Sequence, residues 1–499
     1  MNTAIAGAAT TASTALRRVL LFGFVYALAI WLALLPSGVT DPDIGWHLRT
    51  GEWILSHRMV PVTDPFSRFG ATRPWIASSW LFDLLLVVLT RTFGLAGVLI
   101  YTAVFTVAIL MTLHMLLARS GAGVTRTLIL LGAVTIAIAP ILTPRSWLVT
   151  ILCFLIAWNL IDGAERTGGR QRLIWLLPLF VVWANVHVQF VYGLMLVGLS
   201  ATAPVVDRWR QRGAPSFASG RPDEAARWLL SGACVLATLV TPFGYRLYGT
   251  VVELARSTGA FQSITTLQAM TFRNPAHWVT LALTIGAAFT IGRQRTVTTL
   301  QLLLFPVAVI LGYRAARDAW LVAFTAASIL AIPSPASAHE SSFPLRPRFV
   351  AALLLVAAAA SALIWIRLGI SRTTLEAQLA DRYPAAAVAF VDQHQYPGPL
   401  YNPFNWGGYL IWRLPRLPVS MDGRSNIHGD DRINRAATIW DGTGDWSHDP
   451  ELAASRLVIA DVARPLTTLL ARDDRFRIVY EDAVAAVFVR RTADDIVPH

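Results

Sequence analysis

The sequence predicts a mainly α-helical protein, a polytopic transmembrane helical bundle followed by a small C-terminal α/β domain outside the membrane. Three observations predict this fold class. The 499 residues are 55% hydrophobic and only 14% charged, with a mean hydropathy of +0.52, whereas soluble proteins are roughly a quarter charged. Apolar runs of helical length recur from about residue 19 to about residue 367. After that the composition changes to charges, turns and short β-like runs.

The basic residues are distributed as orientation signals. The formal net charge is +12, but the positive side chains lie in short clusters between apolar runs, which is typical of membrane orientation and not of a nucleic-acid-binding stripe. The sequence contains no lysine, so a Schiff-base or lysine-general-base mechanism is excluded. Cys153 and Cys234 lie inside apolar runs without metal-ligand spacing, and we expect both to be small core residues.

The arginines also orient the spans. Arg17 and Arg18 precede the first apolar run, so we expect a cytoplasmic N-terminus and, without a small-residue cleavage site, a retained first helix. The next apolar piece, Trp80–Leu89, is too short for a helix across the roughly 30 Å of hydrocarbon, which takes about 20 residues. If this piece spanned the membrane, three arginine clusters would lie outside; if it is juxtamembrane or re-entrant, all three lie inside. The positive-inside bias favours the second arrangement; the clusters are Arg119/Arg126, Arg166/Arg170/Arg172 and Arg208/Arg210/Arg212.

This topology has about 11 spans and five segments. The spans are predicted at about 19–36, 95–117, 127–143, 147–161, 173–186, 188–206, 228–244, 277–292, 298–312, 318–333 and 349–367. The segments are a cytoplasmic tail over 1–18, a membrane core over 19–333 with an external loop over 37–94, a linker over 334–348, a last span over 349–368 and an extracytoplasmic α/β domain over 369–499. In that domain we predict helices over Pro384–Asp392 and Trp406–Trp412, and strands over Leu417–Met421, Leu457–Ala460, Phe476–Tyr480 and Ala485–Val489.

The first external loop carries the densest group of acidic residues in the first third of the chain. Proline disfavours helix at the residue before it, so Asp41, before Pro42, is expected to be extended. Asp41 and Asp43, two apart on an extended segment, can converge on one cation or one hydroxyl. The alternative is that Asp43 caps the helix that follows, and both can hold because a cap uses one carboxylate oxygen.

The loop continues with a predicted amphipathic helix from Ile44 to about Ser56, a pattern typical of a helix in the membrane interface. His47 lies one turn after Asp43 and within reach of it. It is a candidate proton acceptor, or a candidate hydrogen-bond donor to a phosphate; the alternative is a structural histidine. Asp64, before Pro65, is a second candidate site residue or the first residue of an Asx turn.

The run DPDIGWHLRTGEWILSHRMVPVTDPFS, followed by PWIASSWLFDLLL, resembles the first external loop of a bacterial family of polytopic glycosyltransferases. That family is similar to the GT-C class, which includes oligosaccharyltransferases, protein O-mannosyltransferases and aminoarabinose transferases. WANVH at 183–187, NWGGY at 405–409 and DGR at 422–424 also resemble the family. The resemblance implies acidic catalytic residues at Asp41 and Asp43, a second juxtamembrane helix beginning at the substrate-binding candidate Trp80, and a polyprenyl-phosphate-linked sugar donor.

Further polar residues fall at the predicted outer ends of the spans. Arg145, Asn185, His187 and Arg317 are the candidates for substrate binding there. Positive side chains are disfavoured on the outer side of the membrane, so an arginine there needs an anionic partner. Arginine is the residue best suited to bind phosphate oxygens, because its guanidinium can donate two parallel hydrogen bonds. The alternatives are an ion pair between Arg317 and Asp318, and helix capping by Asn185 and His187.

The function predicted is transfer of a sugar from a polyprenyl-phosphate-linked donor to a glycan, lipid or protein acceptor at the outer face of a bacterial cytoplasmic membrane. Asp43, with Asp41 as the alternate, would take the acceptor proton, and arginine or a divalent cation at the pair would neutralise the leaving phosphate. Carboxylates suit Mg²⁺ or Mn²⁺. One alternative is a transporter or flippase, which predicts inverted repeats and polar residues at the middle of spans. Another is a non-catalytic assembly protein for envelope glycans.

Overall fold

The computed structural model describes residues 2–35, 38–68, 74–212, 222–256, 267–294, 296–333 and 345–491. The chain divides into two compact units. The first contains 1–35, 99–244 and 265–369, and the second contains 36–98, 245–264 and 370–499. Most of the predicted linker over 334–348 lies outside the described residues.

The first unit is a bundle of helices. Its helix bounds are Asn2–Ala33, Ala96–Arg119, Val124–Ile138, Trp147–Thr167, Leu176–Val186, Phe190–Arg212, Pro222–Ala237, Pro275–Arg293, Thr299–Arg314, Ala319–Leu330 and Pro347–Arg367, with short 3₁₀ turns at Ala139–Ile141, Arg170–Trp175 and Ala316–Asp318. Each predicted span overlaps one of these helices. In the described part of the chain, seven helices are long and apolar enough to cross a membrane, so a multi-pass protein is supported but the predicted count of about 11 spans is not confirmed.

The centre of this bundle is the helix Ala319–Leu330, which is apolar around its whole circumference and has every residue from Ala319 to Ile329 buried. It packs against the helices Pro275–Arg293 and Thr299–Arg314. A helix that is hydrophobic on all faces must be covered by protein or by lipid, and the burial of this one shows that protein covers it. Trp320 fills the interior and meets Phe154 edge to face, with ring centroids 5.1 Å apart.

The second unit combines the first loop with the C-terminal residues. Its two longer helices at the start are Ile44–His57 and Trp80–Phe93, which pack against each other. The Trp80–Phe93 helix has 14 residues, a length of about 21 Å, and it is not among the seven helices long enough to span. The other helical segments are Arg246–Arg256, Arg372–Arg382, Ala385–Gln393, Phe404–Trp406, Gly407–Arg413, Ser425–His428, Asp430–Trp440, Pro450–Ala453 and Pro465–Leu470.

A four-stranded sheet lies in the C-terminal part of this unit. Strands β1 (Leu400–Tyr401), β2 (Leu457–Asp461), β3 (Phe476–Glu481) and β4 (Ala485–Arg490) are arranged in the order β1-β2-β4-β3. β1 pairs parallel with β2, and the β2–β4 and β3–β4 pairs are antiparallel. Its apolar side chains pack against helices, with Tyr401 stacked on Trp440 at 5.4 Å between ring centroids.

The predicted strand over Leu417–Met421 is wrong as a member of this sheet. Val419 instead pairs with the first loop: its amide donates to the carbonyl of Phe66 at 3.1 Å, and the amide of Arg68 donates to the carbonyl of Val419 at 2.9 Å. The segment has the apolar alternation of a strand, but its partner is some 350 residues away in sequence, which no local pattern reveals.

Glycines allow two helices of this unit to touch backbone to backbone. A Cβ on Gly45 would clash with the carbonyl of Gly408, and a Cβ on Gly408 would clash with the carbonyl of Pro42. The helix Gly407–Arg413 therefore packs directly on the start of the helix Ile44–His57. Tyr383 adds a hydrogen bond to the same segment, since its hydroxyl donates to the carbonyl of Thr40 at 2.8 Å.

A buried ionic network joins the first loop to the C-terminal part. The guanidinium of Arg424 donates to Asp64 Oδ1 at 2.7 Å and to both carboxylate oxygens of Asp422, each at 2.7 Å. The side chains of Arg424, Asp64 and Asp422 are at most 2% exposed. His428 Nε2 lies 3.0 Å from Asp422 Oδ2. One buried cation thus holds two carboxylates from segments about 360 residues apart.

Burial alone would raise the pKa of Asp422, but the charges of Arg424 and His428 and their hydrogen bonds hold it well below its usual range. Burial alone would lower the pKa of Arg424, and the two carboxylates raise it instead. The network therefore stays ionised.

Replacing Arg424 by methionine is expected to destabilise the second unit by about 3–5 kcal/mol, because it leaves buried carboxylates without their cation. The measurement is thermal unfolding of the purified full chain, with hydrogen exchange at the Phe66 and Ser67 amides, which donate to Asp64. Arg464→Gln is the control: it removes a pair with Asp441 that is about half exposed, worth about 0–1 kcal/mol. Equal effects of the two variants would contradict the role given to Arg424.

The contribution of Asp422 to stability should also depend on pH. Its folded-state pKa lies below the unfolded value of about 3.9, so the stabilisation is complete above that value and is lost as pH falls below it. The stability gap between the wild-type chain and Asp422→Asn should be constant from about pH 7 to pH 5 and narrow below about pH 4. Unfolding midpoints measured across this range test the expectation, and a gap that stays constant down to pH 3 would refute it.

Candidate functional site

The acidic pair of the first loop lies at the start of the helix Ile44–His57. Asp43 occupies the N-cap position, but its side chain makes no capping hydrogen bond. Instead, Asp41 Oδ1 accepts a hydrogen bond from the amide of Asp43 at 2.9 Å, and the carbonyl of Asp41 accepts one from the amide of Ile44 at 3.2 Å. The capping alternative therefore does not describe Asp43, and the local turn uses the carboxylate of Asp41.

The carboxylate of Asp43 rests against Gly423. A Cβ on Gly423 would clash with Asp43 Oδ1 and would lie 3.1 Å from its Cγ. Gly423 stands between Asp422 and Arg424, whose ionic network fixes this stretch of backbone. Asp43 is half buried as a residue, and its carboxylate lies against protein on the side of Gly423.

His47 is held by a residue that sequence reasoning missed. Its Nδ1 lies 2.5 Å from Asp83 Oδ1, and both side chains are at most 5% exposed. Ser79 Oγ donates to the same Asp83 oxygen at 3.3 Å. Burial raises the pKa of Asp83, and the charge and hydrogen bond of His47 oppose that rise. The partner of His47 is thus Asp83, not Asp43, and the pair links the helix Ile44–His57 to the helix Trp80–Phe93.

Asp64 forms the Asx turn that was one of its two predicted roles. Its oxygens accept hydrogen bonds from the amide of Phe66 at 3.0 Å, the amide of Ser67 at 3.2 Å and the hydroxyl of Ser67. Together with the ion pair to Arg424, these contacts account for the carboxylate structurally. Trp80 is half buried and begins the helix Trp80–Phe93.

The candidate residues of the first unit lie at helix ends or in the turns beside them. His187 Nδ1 lies 2.8 Å from the Thr150 hydroxyl, which also accepts a hydrogen bond from the indole of Trp183 at 2.8 Å. The carbonyl of Arg145 accepts a hydrogen bond from the Tyr101 hydroxyl at 2.9 Å. The guanidinium of Arg145 lies over Trp147, 5.3 Å from the ring centroid.

Asn185 is used for structure. Its amide donates to the carbonyls of Val181 and Val240, each at 2.8 Å. These bonds tie the end of the helix Leu176–Val186 to the turn after the helix Pro222–Ala237.

Arg317 and Asp318 form only a loose pair, 4.0 Å between Arg317 Nε and Asp318 Oδ1. Asp318 is bound more closely by Gln189, whose amide donates to it at 3.1 Å, and by the hydroxyl of Tyr192 at 2.7 Å. Within the described residues, Arg317 Nε is buried without a hydrogen-bond acceptor. A buried guanidinium nitrogen in this state is suited to an anionic ligand.

Two features escaped sequence reasoning for different reasons. Asp83 lies in an apolar run, WLFDLLL, where a carboxylate is itself a signal of a buried partner. Tyr192 gave no signal, because one tyrosine in an apolar helix is ordinary. Within the described residues, no group of three or more His, Cys, Asp or Glu side chains is arranged to hold a metal ion.

No protein-family model matches the chain, and no curated protein sequence matches it. Solved structures do. The oligosaccharyltransferase of Archaeoglobus fulgidus in the apo form is 12% identical, with a TM-score of 0.50 over 90% of this chain and 69% of that chain. The A. fulgidus oligosaccharyltransferase AglB in complex with an inhibitory peptide and a dolichol-phosphate is 12% identical, with a TM-score of 0.51 over 89% of this chain and 69% of that chain. ArnT from Cupriavidus metallidurans bound to undecaprenyl phosphate is 15% identical, with a TM-score of 0.47 over 96% of this chain and 99% of that chain.

The archaeal structures extend over nearly the whole chain, so the likeness includes the helical bundle and the residues after it. At 12% identity it concerns the fold. The resemblance to the GT-C class that the first loop indicated is therefore confirmed at the level of the fold.

Proposed function

We propose that the protein is a membrane glycosyltransferase that moves a sugar from a polyprenyl-phosphate-linked donor to an acceptor hydroxyl or amide at the extracytoplasmic face of the membrane. The observation that carries this proposal is the position of Asp43. Its carboxylate is not used as a helix cap and lies against Gly423, and the residue as a whole is half buried. The GT-C fold supports the reaction class.

In this proposal Asp43 accepts the proton of the acceptor as the acceptor attacks the anomeric carbon. The bond from that carbon to the lipid phosphate oxygen breaks, and the polyprenyl phosphate leaves with the bonding electron pair. General-base catalysis of this kind contributes typically 10²–10⁴-fold. Asp41 positions Asp43, since its carboxylate binds the Asp43 amide.

Asp41 and Asp43 are also the residues that would hold a divalent cation. Mg²⁺ is commonly bound through one or two carboxylates together with water and substrate phosphates, and this pair fits that donor set. Such an ion would supply neutralisation of the phosphate. The hydrogen bond between His47 and Asp83 keeps the first turn of the helix Ile44–His57 in place against the helix Trp80–Phe93.

Arg317 is the proposed contact for the lipid phosphate. Its buried Nε, which lacks an acceptor in the described part of the chain, would gain one on binding. Arg145, at a turn of the same unit and over Trp147, is the second candidate for this contact, and His187 and Trp80 remain candidates for contacts with the substrates.

The base assignment is tested by Asp43→Asn, with transfer of label from radiolabelled polyprenyl-phosphate sugars measured in membranes. We expect activity to fall about 10²–10⁴-fold with normal expression. Gly423→Ala keeps the carboxylate but displaces it, and a shift of about 1 Å costs on the order of 10²-fold. Asp381→Asn, an exposed carboxylate of the same unit, should leave transfer unchanged. Full activity of Asp43→Asn would remove the proposed base.

The phosphate contact is tested by binding of undecaprenyl phosphate to the purified chain. Loss of a charge-assisted hydrogen bond costs about 1.5–3 kcal/mol, so Arg317→Gln should weaken binding about 10- to 100-fold. Arg293→Gln is a matched control, because Arg293 is the last residue of the helix Pro275–Arg293 and its guanidinium lies over the ring of Phe289, so the variant removes an arginine of the same unit that is not a candidate contact. If both variants bind as tightly as the wild type, Arg317 does not contact the phosphate.

A further inference from the structure

A cavity of about 820 Å³ lies within the first unit, at the end of the helices where the arginine clusters are. One wall is a single face of the helix Phe190–Arg212, in which the lining residues recur three or four positions apart. They are Val197, Ser200, Pro204, Asp207 and Arg210, with Ala203 beside Pro204. The volume is in the range of small-molecule sites, about 300–1,000 Å³, and none of the candidate residues of the proposed transferase site lines it.

Pro204 gives this wall its polar centre. Proline has no N–H, so the carbonyl of Ser200, four residues earlier, has no partner within the helix. Arg227, from the helix Pro222–Ala237, donates to that carbonyl at 3.3 Å and to Glu165 at 2.9 Å. The helix irregularity thus positions an arginine in the cavity wall.

The charged groups of the lining favour an anion. Three arginines, Arg170, Arg210 and Arg227, face two carboxylates, Glu165 and Asp207. Both carboxylates are engaged: Glu165 is paired with Arg227, and Asp207 accepts a hydrogen bond from the hydroxyl of Thr299. The Thr299 hydroxyl leaves the charge of Asp207 in place, so the lining has a formal excess of one positive charge, from three arginines and two carboxylates.

Much of the remaining lining is apolar, and this favours an anion that carries a hydrocarbon chain over a free inorganic anion. Ile161, Leu173, Leu176 and Leu230 contribute hydrocarbon surface beside the arginines, and Ile174, which also lines the cavity, is 58% exposed. A free inorganic anion would leave this surface unused. An amphiphile with a phosphate and an alkyl chain would cover it.

We propose that this cavity is a binding site for an anionic phospholipid of the cytoplasmic leaflet, with the lipid phosphate against Arg170 and Arg210 and an acyl chain along the apolar wall. Basic pockets between transmembrane helices on the cytoplasmic side bind anionic headgroups in this way. The leaflet follows from the predicted orientation of the arginine clusters. The proposal is independent of the transferase function.

The test is native mass spectrometry of the purified full chain titrated with phosphatidylglycerol, phosphatidylcholine or inorganic phosphate. We expect one phosphatidylglycerol to be retained in preference to phosphatidylcholine. In Arg170→Gln/Arg210→Gln its affinity should fall about fivefold for each arginine removed, the effect typical of a basic residue at a membrane surface. Arg172→Gln is the matched control, since Arg172 is in the same 3₁₀ segment but not in the lining.

A second variant tests the cavity itself without changing its charge. Ala226 lines the cavity and is exposed there, so Ala226→Phe should fill the space and remove lipid retention while leaving the unfolding temperature unchanged. Equal retention of the two lipids, or unchanged affinity in both the arginine and the Ala226 variants, would overturn the proposal. If inorganic phosphate at equal concentration displaced phosphatidylglycerol, the ligand would be a free anion and not a lipid, and the proposal would also be overturned.

Discussion

The second unit depends on one buried cation. Arg424 lies between Asp64 of the first loop and Asp422 of the C-terminal part, with 2.7 Å between donor and acceptor in each contact. Removing three charged groups from water is costly, and only their mutual pairing offsets that cost. The same contacts define the local backbone, because Asp64 also accepts the amides of Phe66 and Ser67, and Asp422 accepts the amide of Arg424. An exposed loop of the sequence thereby becomes a fixed part of a folded unit.

This arrangement explains how Asp43, a half-buried residue, can have a carboxylate in a defined position. The carboxylate of Asp43 lies against Gly423, the residue between Asp422 and Arg424. The helix start that carries Asp43 is fixed in turn by the contact between Gly45 and Gly408. Each contact needs a glycine: at Gly423 a side chain would collide with the Asp43 carboxylate, and at Gly45 and Gly408 it would collide with the facing backbone. Catalytic groups act best when their surroundings are already ordered before the substrate arrives. The support for Asp43 comes from residues that would take no part in the chemistry.

Sequence reasoning identified the right segments more reliably than it identified the right partners. The turn with His187 and the turn with Arg317 are brought together in the first unit through Gln189 and Asp318, as their placement at the same ends of predicted spans implies. For His47 the expected partner is wrong. Asp43, one turn away along the chain, is within reach, but the side-chain hydrogen bond of His47 goes to Asp83 on another helix. Asp422 and Arg424, which the sequence shows only as part of a short motif, form a buried network with Asp64 and His428. A pattern along the chain does not say which side chains meet across the fold.

The sequence by itself determined the membrane class, the positions of most helices, three of the four strands and the resemblance of the first loop to GT-C enzymes, because hydrophobic periodicity, arginine clusters and short motifs are local properties. Only the tertiary structure decided that the first loop and the C-terminal residues form one compact unit. Only the tertiary structure showed that the Leu417–Met421 segment pairs with that loop and that the carboxylate of Asp41, not that of Asp43, is used by the helix start. The first two outcomes depend on hydrogen bonds and ion pairs between segments hundreds of residues apart, which the spacing of residues along the chain does not reveal. The use of Asp41 is a local contact, but either carboxylate is within reach of the helix start, and only the geometry shows which one is used.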